Sequence, residues 1–162
     1  MRKNNETPKV LVMVGPSNSG KSSWAEGFLR ENPGWVRMNR DSIRHMLQFT
    51  SMMDKRGEEL VTRILDEAAE NALMAGYNVL LDNMHCKLAN LQNICARFSD
   101  VADIDFQVMP DVPIEVLRER AVGRSKKDGY PVIPNWVLER ALNNFNELKT
   151  QFDFMPIKKR QT

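Results

Sequence analysis

The chain has 162 residues and a mass of 18.7 kDa, one domain's worth of sequence and enough to bury roughly two-thirds of its unfolded surface. Hydrophobic residues make up 42% and charged residues 27%, with eight glycines and eight prolines, which excludes extended disorder and collagen-like repeats. The 23 basic and 21 acidic residues leave a net charge of +2, too little for the whole chain to act as a polycation, so any affinity for nucleic acid has to be local.

The longest unbroken apolar run, Val10 to Val14, is five residues. A membrane-spanning helix needs about 20 and a signal-peptide core about 7 to 15, so neither is expected and the expected location is the cytoplasm. Cys86 and Cys95 are eight residues apart with no partner at a usual zinc spacing. Leu91, Ile94, Cys95 and Phe98 recur at helical intervals, which makes Cys95 a small apolar residue on the buried face of a helix.

In chain order, Lys9 to Val14 is a β-branched apolar run ended by Gly15-Pro16, a strand buried on both faces. A helix over Lys21 to Arg30 follows, with Trp24, Phe28 and Leu29 on one side. Trp35 to Met38 is a second strand, after which Asp41 caps a short helix running toward Phe49. Glu58 to Ala75 has the clearest helical period in the chain and Gly76 ends it. Val79 to Leu81 is a third strand, Leu88 to Phe98 a helix, and Ile104 to Met109 a fourth strand. Pro113 and Pro134 each open a helix; Trp24, Trp136 and Phe145 fit core positions. Residues 156–162, with Lys158, Lys159 and Arg160, read as a frayed, solvated tail, with phosphate contact as the alternative. Alternating strands and helices imply one α/β domain over residues 1–162, a parallel sheet with helices on both faces.

Gly15-Pro-Ser-Asn-Ser-Gly-Lys-Ser22 satisfies every fixed position of G-x-x-x-x-G-K-[ST] between a buried strand and a helix. In that motif backbone N–H groups from Gly15 through Ser23, with Ser17, Asn18, Ser19 and Gly20 between, surround phosphate oxygens. Lys21 reaches the β- and γ-phosphates and the Ser22 hydroxyl binds magnesium. A chance glycine-rich turn is the plain alternative, made rarer by the strand before and the helix after. The expected ligands are therefore ATP, or another nucleoside triphosphate, and Mg²⁺.

Asn39-Arg40-Asp41 follows the second strand, and Arg44, three residues beyond Asp41, shares its helix face. At the carboxyl edge of a parallel sheet, Asp41 can accept the proton of an attacking hydroxyl held by Arg44, or can serve only as a helix cap. Asp82 ends the third strand, where a carboxylate orders magnesium or Ser22, although Asp-Asn is also ordinary turn chemistry. His85 reads as an exposed loop histidine, and His45 as a neighbour of the site without a chemical role. The segment from Glu115 to Asp128 holds five basic residues against three acidic ones. In it Arg120 and Arg124 stand four apart, and Ser125 to Gly129 reads as a flexible polar loop. Together they suit either a mobile lid that brings cations over a phosphoryl group or a solvated face paired with Glu115 and Glu119.

In this order, these residues resemble the kinase domain of the polynucleotide 5′-hydroxyl kinases, the phage and animal enzymes that phosphorylate nucleic-acid ends. The resemblance spans nearly the whole chain, and Asn-Arg-Asp after the second strand is its most discriminating part. It implies an α/β P-loop kinase fold with about four to five parallel strands and a small helical lid near residues 118–131. It also implies transfer of the ATP γ-phosphate to 5′-hydroxyl ends of DNA or RNA. Asp41 is then the general base, Arg44 the acceptor clamp, Lys21 and Arg124 stabilisers of the transition state. Arg120 is a donor-phosphate contact and Asp82 supports the donor site. The sequence departs from the family at Met84-His85, so no role transfers to either. Asp103-Ile-Asp105 has the spacing of the phosphatase motif of many relatives but begins a strand, so kinase activity without 3′-phosphatase activity is expected. Two other readings remain: a small-molecule P-loop kinase and a nucleotide-binding switch that transfers no phosphate.

Overall fold

The computed structural model describes residues 6–47, 54–129 and 131–159. Four strands, β1 (Lys9–Val14), β2 (Trp35–Met38), β3 (Asn78–Leu81) and β4 (Asp103–Val108), form one sheet in the order β2-β3-β1-β4. All three pairings are parallel, with Val10 opposite Val79 and Ile104, and Met38 opposite Leu81. The connections are helices: α1 (Lys21–Glu31), α2 (Arg40–Met46), α3 (Lys55–Met74), α4 (Leu88–Phe98), α5 (Ile114–Asp128) and α6 (Asn135–Gln151). Among the described residues no helix is long and apolar enough to cross a membrane.

Side chains alternate across a strand, so β1 divides its residues between two cores. Val10, Val12 and Val14 join Leu65, Ala69 and Leu73 of α3, Leu91 and Phe98 of α4, and Phe145 and Leu148 of α6. Met13, on the opposite face, joins Leu80, Ala25 of α1 and Met109, with Trp24, Phe28 and Trp35 packed against them. Both faces of β1 are therefore covered, as its unbroken apolar run requires. Every strand ends at the same edge of the sheet, which gathers the segments after β1, β2 and β3 into one crevice.

Several sequence expectations need correction. Asn39, not Asp41, caps α2: its side-chain oxygen accepts from the Ser42 N–H at 3.0 Å and Asp41 stands in the first turn. That helix ends at Met46, and Phe49 lies outside the described residues. Residues 125–128 continue α5 as helix until Gly129 adopts φ 71°; Tyr130, in the expected lid, is outside the described residues. Trp136 is 62% exposed, because it stands in the first turn of α6 and the buried stripe begins at Leu138. Ile157 exchanges two 2.8 Å backbone hydrogen bonds with Ile104, so the tail docks against β4 before residues 160–162, which are outside the described set. Cys95 is half-buried against the larger core as expected, and Asp103-Ile-Asp105 does begin β4.

Candidate active site

The turn after β1 depends on two glycines. A Cβ on Gly15 would lie 2.8 Å from the Met109 Cβ and 3.0 Å from the Ser19 Oγ, so the strand end and the turn approach closely only because that atom is missing. Gly20 takes φ 98° and caps α1, aiming the helix start at the loop. Lys21 folds back into this loop, its Nζ donating to the carbonyls of Gly15 at 2.9 Å and Pro16 at 2.6 Å. Burial lowers the Lys21 ammonium to about 8, with the Asp82 and Asp41 carboxylates opposing that shift. Asn18 adopts φ 63° and its buried Nδ2 has no hydrogen-bond partner among the described residues. A glycine-made cradle, a buried lysine and an orphaned amide donor together fit a polyphosphate.

The segment after β2 is bolted to the end of β3. The Asn39 Nδ2 donates to the Asp82 carbonyl at 2.7 Å, and the Arg40 N–H donates to the Asn83 Oδ1 at 2.9 Å. This fixes the start of α2, on which Asp41 and Arg44 do share a face: the Arg44 Nη1 lies 2.7 Å from the Asp41 Oδ1. The other carboxylate oxygen, Asp41 Oδ2, receives Arg124 Nη2 of α5 at 3.2 Å. Arg120, one turn earlier, donates from its Nη1 to the Asn18 carbonyl at 3.0 Å. Asp41 thus meets two guanidinium groups, and α5 touches both the P-loop and α2.

Glu58 was not singled out in the sequence. In the first turn of α3 it accepts from the Arg44 Nε at 2.9 Å and Nη2 at 2.7 Å, and from the Arg40 Nη2 at 2.6 Å. These hydrogen bonds, with that of Arg44 largest, hold its carboxyl at about 2. No local spacing joins Glu58 to Arg44, and only an unpaired acid at a helix start hints at it.

Asp82, 1% exposed, lies just past the end of β3 and its Oδ2 accepts from the Arg37 Nε at 2.8 Å. Arg37 is a second residue that the sequence did not mark: it lies on β2, the strand paired with β3. His85 is not an exposed loop residue. It is 9% exposed, takes φ 37° and its Nδ1 lies 2.9 Å from the Met13 carbonyl. Ser17 to Ser23, Asp41, Arg44, Asp82, His85, Arg120 and Arg124 all line one cleft of about 1980 Å³. Among the described residues no cluster of three or more His, Cys, Asp and Glu residues is arranged to hold a metal. The hard-oxygen set of the Ser22 hydroxyl and the Asp82 carboxylate, next to a phosphate cradle, is of the type that suits magnesium.

Parallel sheet, P-loop and crevice define a P-loop kinase fold of the α/β class. Residues 10–148 match the family model AAA_33, an AAA domain, and the chain belongs to that family. A chain of the Pnkp1/Rnl/Hen1 RNA repair complex superposes with a TM-score of 0.90 at 34% identity, covering 100% of this chain and 52% of that one. A second structure of the Pnkp1/Rnl/Hen1 complex gives 0.74 at 31% identity, with 99% and 49% covered. This chain therefore spans about half the length of both. The fold is also similar to that of the Deinococcus radiodurans tunicamycin resistance protein, with a TM-score of 0.57, 16% identity, and 87% and 81% covered.

Proposed function

We propose that the protein is a polynucleotide 5′-hydroxyl kinase that transfers the γ-phosphate of ATP to the 5′ end of RNA or DNA. The observation that carries this reading is Asp41: a carboxylate opposite the P-loop lysine, oriented by Arg44 on one oxygen and met by Arg124 on the other. The similarity to a chain from an RNA repair complex supports a nucleic-acid acceptor over a small one.

In this reading Gly15, Ser17, Asn18, Ser19, Gly20, Ser22 and Ser23 surround the triphosphate. Asp41 takes the proton of the acceptor 5′-hydroxyl as its oxygen bonds to the γ-phosphorus, and the bond from that phosphorus to the β–γ bridging oxygen breaks, releasing ADP. Lys21, Arg120 and Arg124 neutralise charge on the transferring group and on the leaving diphosphate. Arg44, held by Glu58, orients Asp41 and presents a guanidinium to the acceptor. Magnesium, held by Ser22 with Asp82 behind it, would supply further charge neutralisation. The location that goes with this reading is the cytoplasm.

The test is transfer of labelled γ-phosphate to single-stranded RNA and DNA carrying a 5′-hydroxyl, beside 5′-phosphorylated controls and the Asp41→Asn protein. Label on the 5′-hydroxyl strands alone, lost with Asp41→Asn while ATP binding persists, is the expected result. ATP binding without label on either nucleic acid would overturn the polynucleotide reading.

A further inference from the structure

The central strand β1 runs two residues past its partner β3. The β1–β3 register ends at Val12 opposite Leu81, whereas on its other side β1 stays paired with β4 through Val14 opposite Val108. The Met13 carbonyl therefore faces the side on which β3 has already turned away, in a buried part of the sheet where an unpaired carbonyl is costly. The His85 Nδ1, at 2.9 Å, occupies that place. Because the partner is a carbonyl, Nδ1 must carry the proton. Burial pushes the imidazole down to about 4, so the ring is neutral at physiological pH.

The backbone around His85 serves the same junction. The Gly15 N–H donates to the Met84 carbonyl at 3.1 Å, and the buried Cys86 thiol donates to the same carbonyl at 3.1 Å. Reaching Met13 requires His85 to adopt φ 37°, in the left-handed region that a β-carbon disfavours. Strain at a residue that lines the phosphate cleft, compensated by a hydrogen bond to the strand that carries the P-loop, is the combination that calls for a role.

We propose that His85 is a positioning residue for the phosphate loop: its Nδ1–H replaces the ladder bond that β3 withdraws from Met13, and so fixes where Gly15 and Lys21 meet a nucleoside triphosphate. The inference rests on the triphosphate reading of the P-loop and is independent of the acceptor. Lys21 hydrogen-bonds to the Gly15 and Pro16 carbonyls, so a shift at the end of β1 carries the lysine with it.

The experiment measures ATP affinity by calorimetry in the presence of magnesium, with thermal unfolding alongside, for wild type, His85→Asn and His85→Gly. Asparagine tolerates positive φ and places an amide N–H where Nδ1 stands; glycine relieves the strain but removes the donor. The expected result is near-wild-type affinity with His85→Asn and affinity weaker on the order of tenfold with His85→Gly. Steady-state kinetics should show the glycine loss in KM for ATP and not in KM for the acceptor. If the glycine variant does not fold, His85→Asp, which has the shape of asparagine without its N–H, takes its place. Wild-type affinity in the donor-free variant, or equal losses in both variants, overturns the proposal. Failure of the wild-type protein to bind ATP overturns the triphosphate reading beneath it.

Discussion

Arg44 and Glu58 form a two-pronged ion pair, Nε to Oε1 at 2.9 Å and Nη2 to Oε2 at 2.7 Å, which leaves the remaining Arg44 nitrogen on Asp41. One acid on α3 thereby sets the orientation of the candidate base on α2, beside the Arg40 contacts to Thr62 and Glu58 that join the same two helices. Replacing Glu58 with Gln removes the charge and puts an amide N–H against a guanidinium, so the side chain no longer satisfies Arg40 and Arg44 together, although Arg40 keeps the Thr62 hydroxyl and Arg44 keeps Asp41. Phosphoryl transfer should fall on the order of tenfold in kcat through lost orientation, with ATP affinity unchanged. Folding stability should fall by about 1–2 kcal/mol. Steady-state kinetics and urea unfolding of the variant check both; a kcat at the wild-type level would remove Glu58 from the site.

The same pair should make stability depend on pH in the acid range. The Glu58 carboxyl is held at about 2 in the folded protein against an ordinary value of 4.5, so the unfolded chain binds the proton more readily. Its contribution is fully present above pH 4.5 and is lost as the pH falls toward 2. The Glu58 side chain is 32% exposed, so solvent and salt reduce the effect. The urea midpoint should fall between pH 5 and pH 2.5, less steeply for Glu58→Gln than for wild type. Parallel slopes would mean that other carboxylates carry the acid sensitivity.

Gly15 predicts an asymmetric rescue. The Gly15→Ala methyl would meet the Cβ and Cγ of Met109 at 2.8 and 2.9 Å, and relieving that clash should cost about 1–3 kcal/mol and displace the loop from its phosphate-binding shape. Trimming Met109 to Ala leaves the nearer obstacle, its Cβ, in place. Gly15→Ala should therefore lose ATP affinity, Gly15→Ala with Met109→Ala should stay impaired, and Gly15→Ala with Met109→Gly should recover part of it. Equal recovery in both double variants would mean that the Met109 chain end is the obstacle.

The elements were legible because the periodicities in this chain are strong: the apolar run of β1 is buried on both faces, and the stripe of α3 lands on Val61, Leu65, Ala69 and Leu73. The P-loop and the Asp41–Arg44 pair were legible because each is local, set by spacing along one turn or one helix. Glu58 and Arg37 were not, because their partners lie 14 and 45 residues away, brought together only by the packing of α2 on α3 and by the pairing of β2 with β3. His85 was misread for a related reason. A polar residue in a turn after a strand ordinarily faces solvent, and nothing in the sequence shows that β1 outlasts β3 and leaves a carbonyl to be satisfied. Trp136 failed in the opposite direction, since an aromatic residue in the first helical turn precedes the buried stripe instead of joining it.

Arg44 also distinguishes a fork from a charge. It is 17% exposed at its side chain and uses Nε and Nη2 on Glu58 and Nη1 on Asp41, a planar three-point arrangement that a lysine ammonium cannot reproduce. Arg44→Lys keeps the positive charge but can satisfy only one carboxylate well, leaving Glu58 to Arg40 alone or Asp41 to Arg124 alone. If the role of Arg44 is geometric, Arg44→Lys should lose nearly as much kcat as Arg44→Ala, on the order of tenfold to a hundredfold, while KM for ATP stays at the wild-type level. If charge alone holds the acceptor, the lysine variant should retain most of the activity and the alanine variant should lose it. Measuring both variants on a 5′-hydroxyl oligonucleotide at two salt concentrations separates the cases, because an acceptor contact made through charge alone weakens steeply as salt rises, whereas the partly buried fork of Arg44 on Glu58 and Asp41 is screened less.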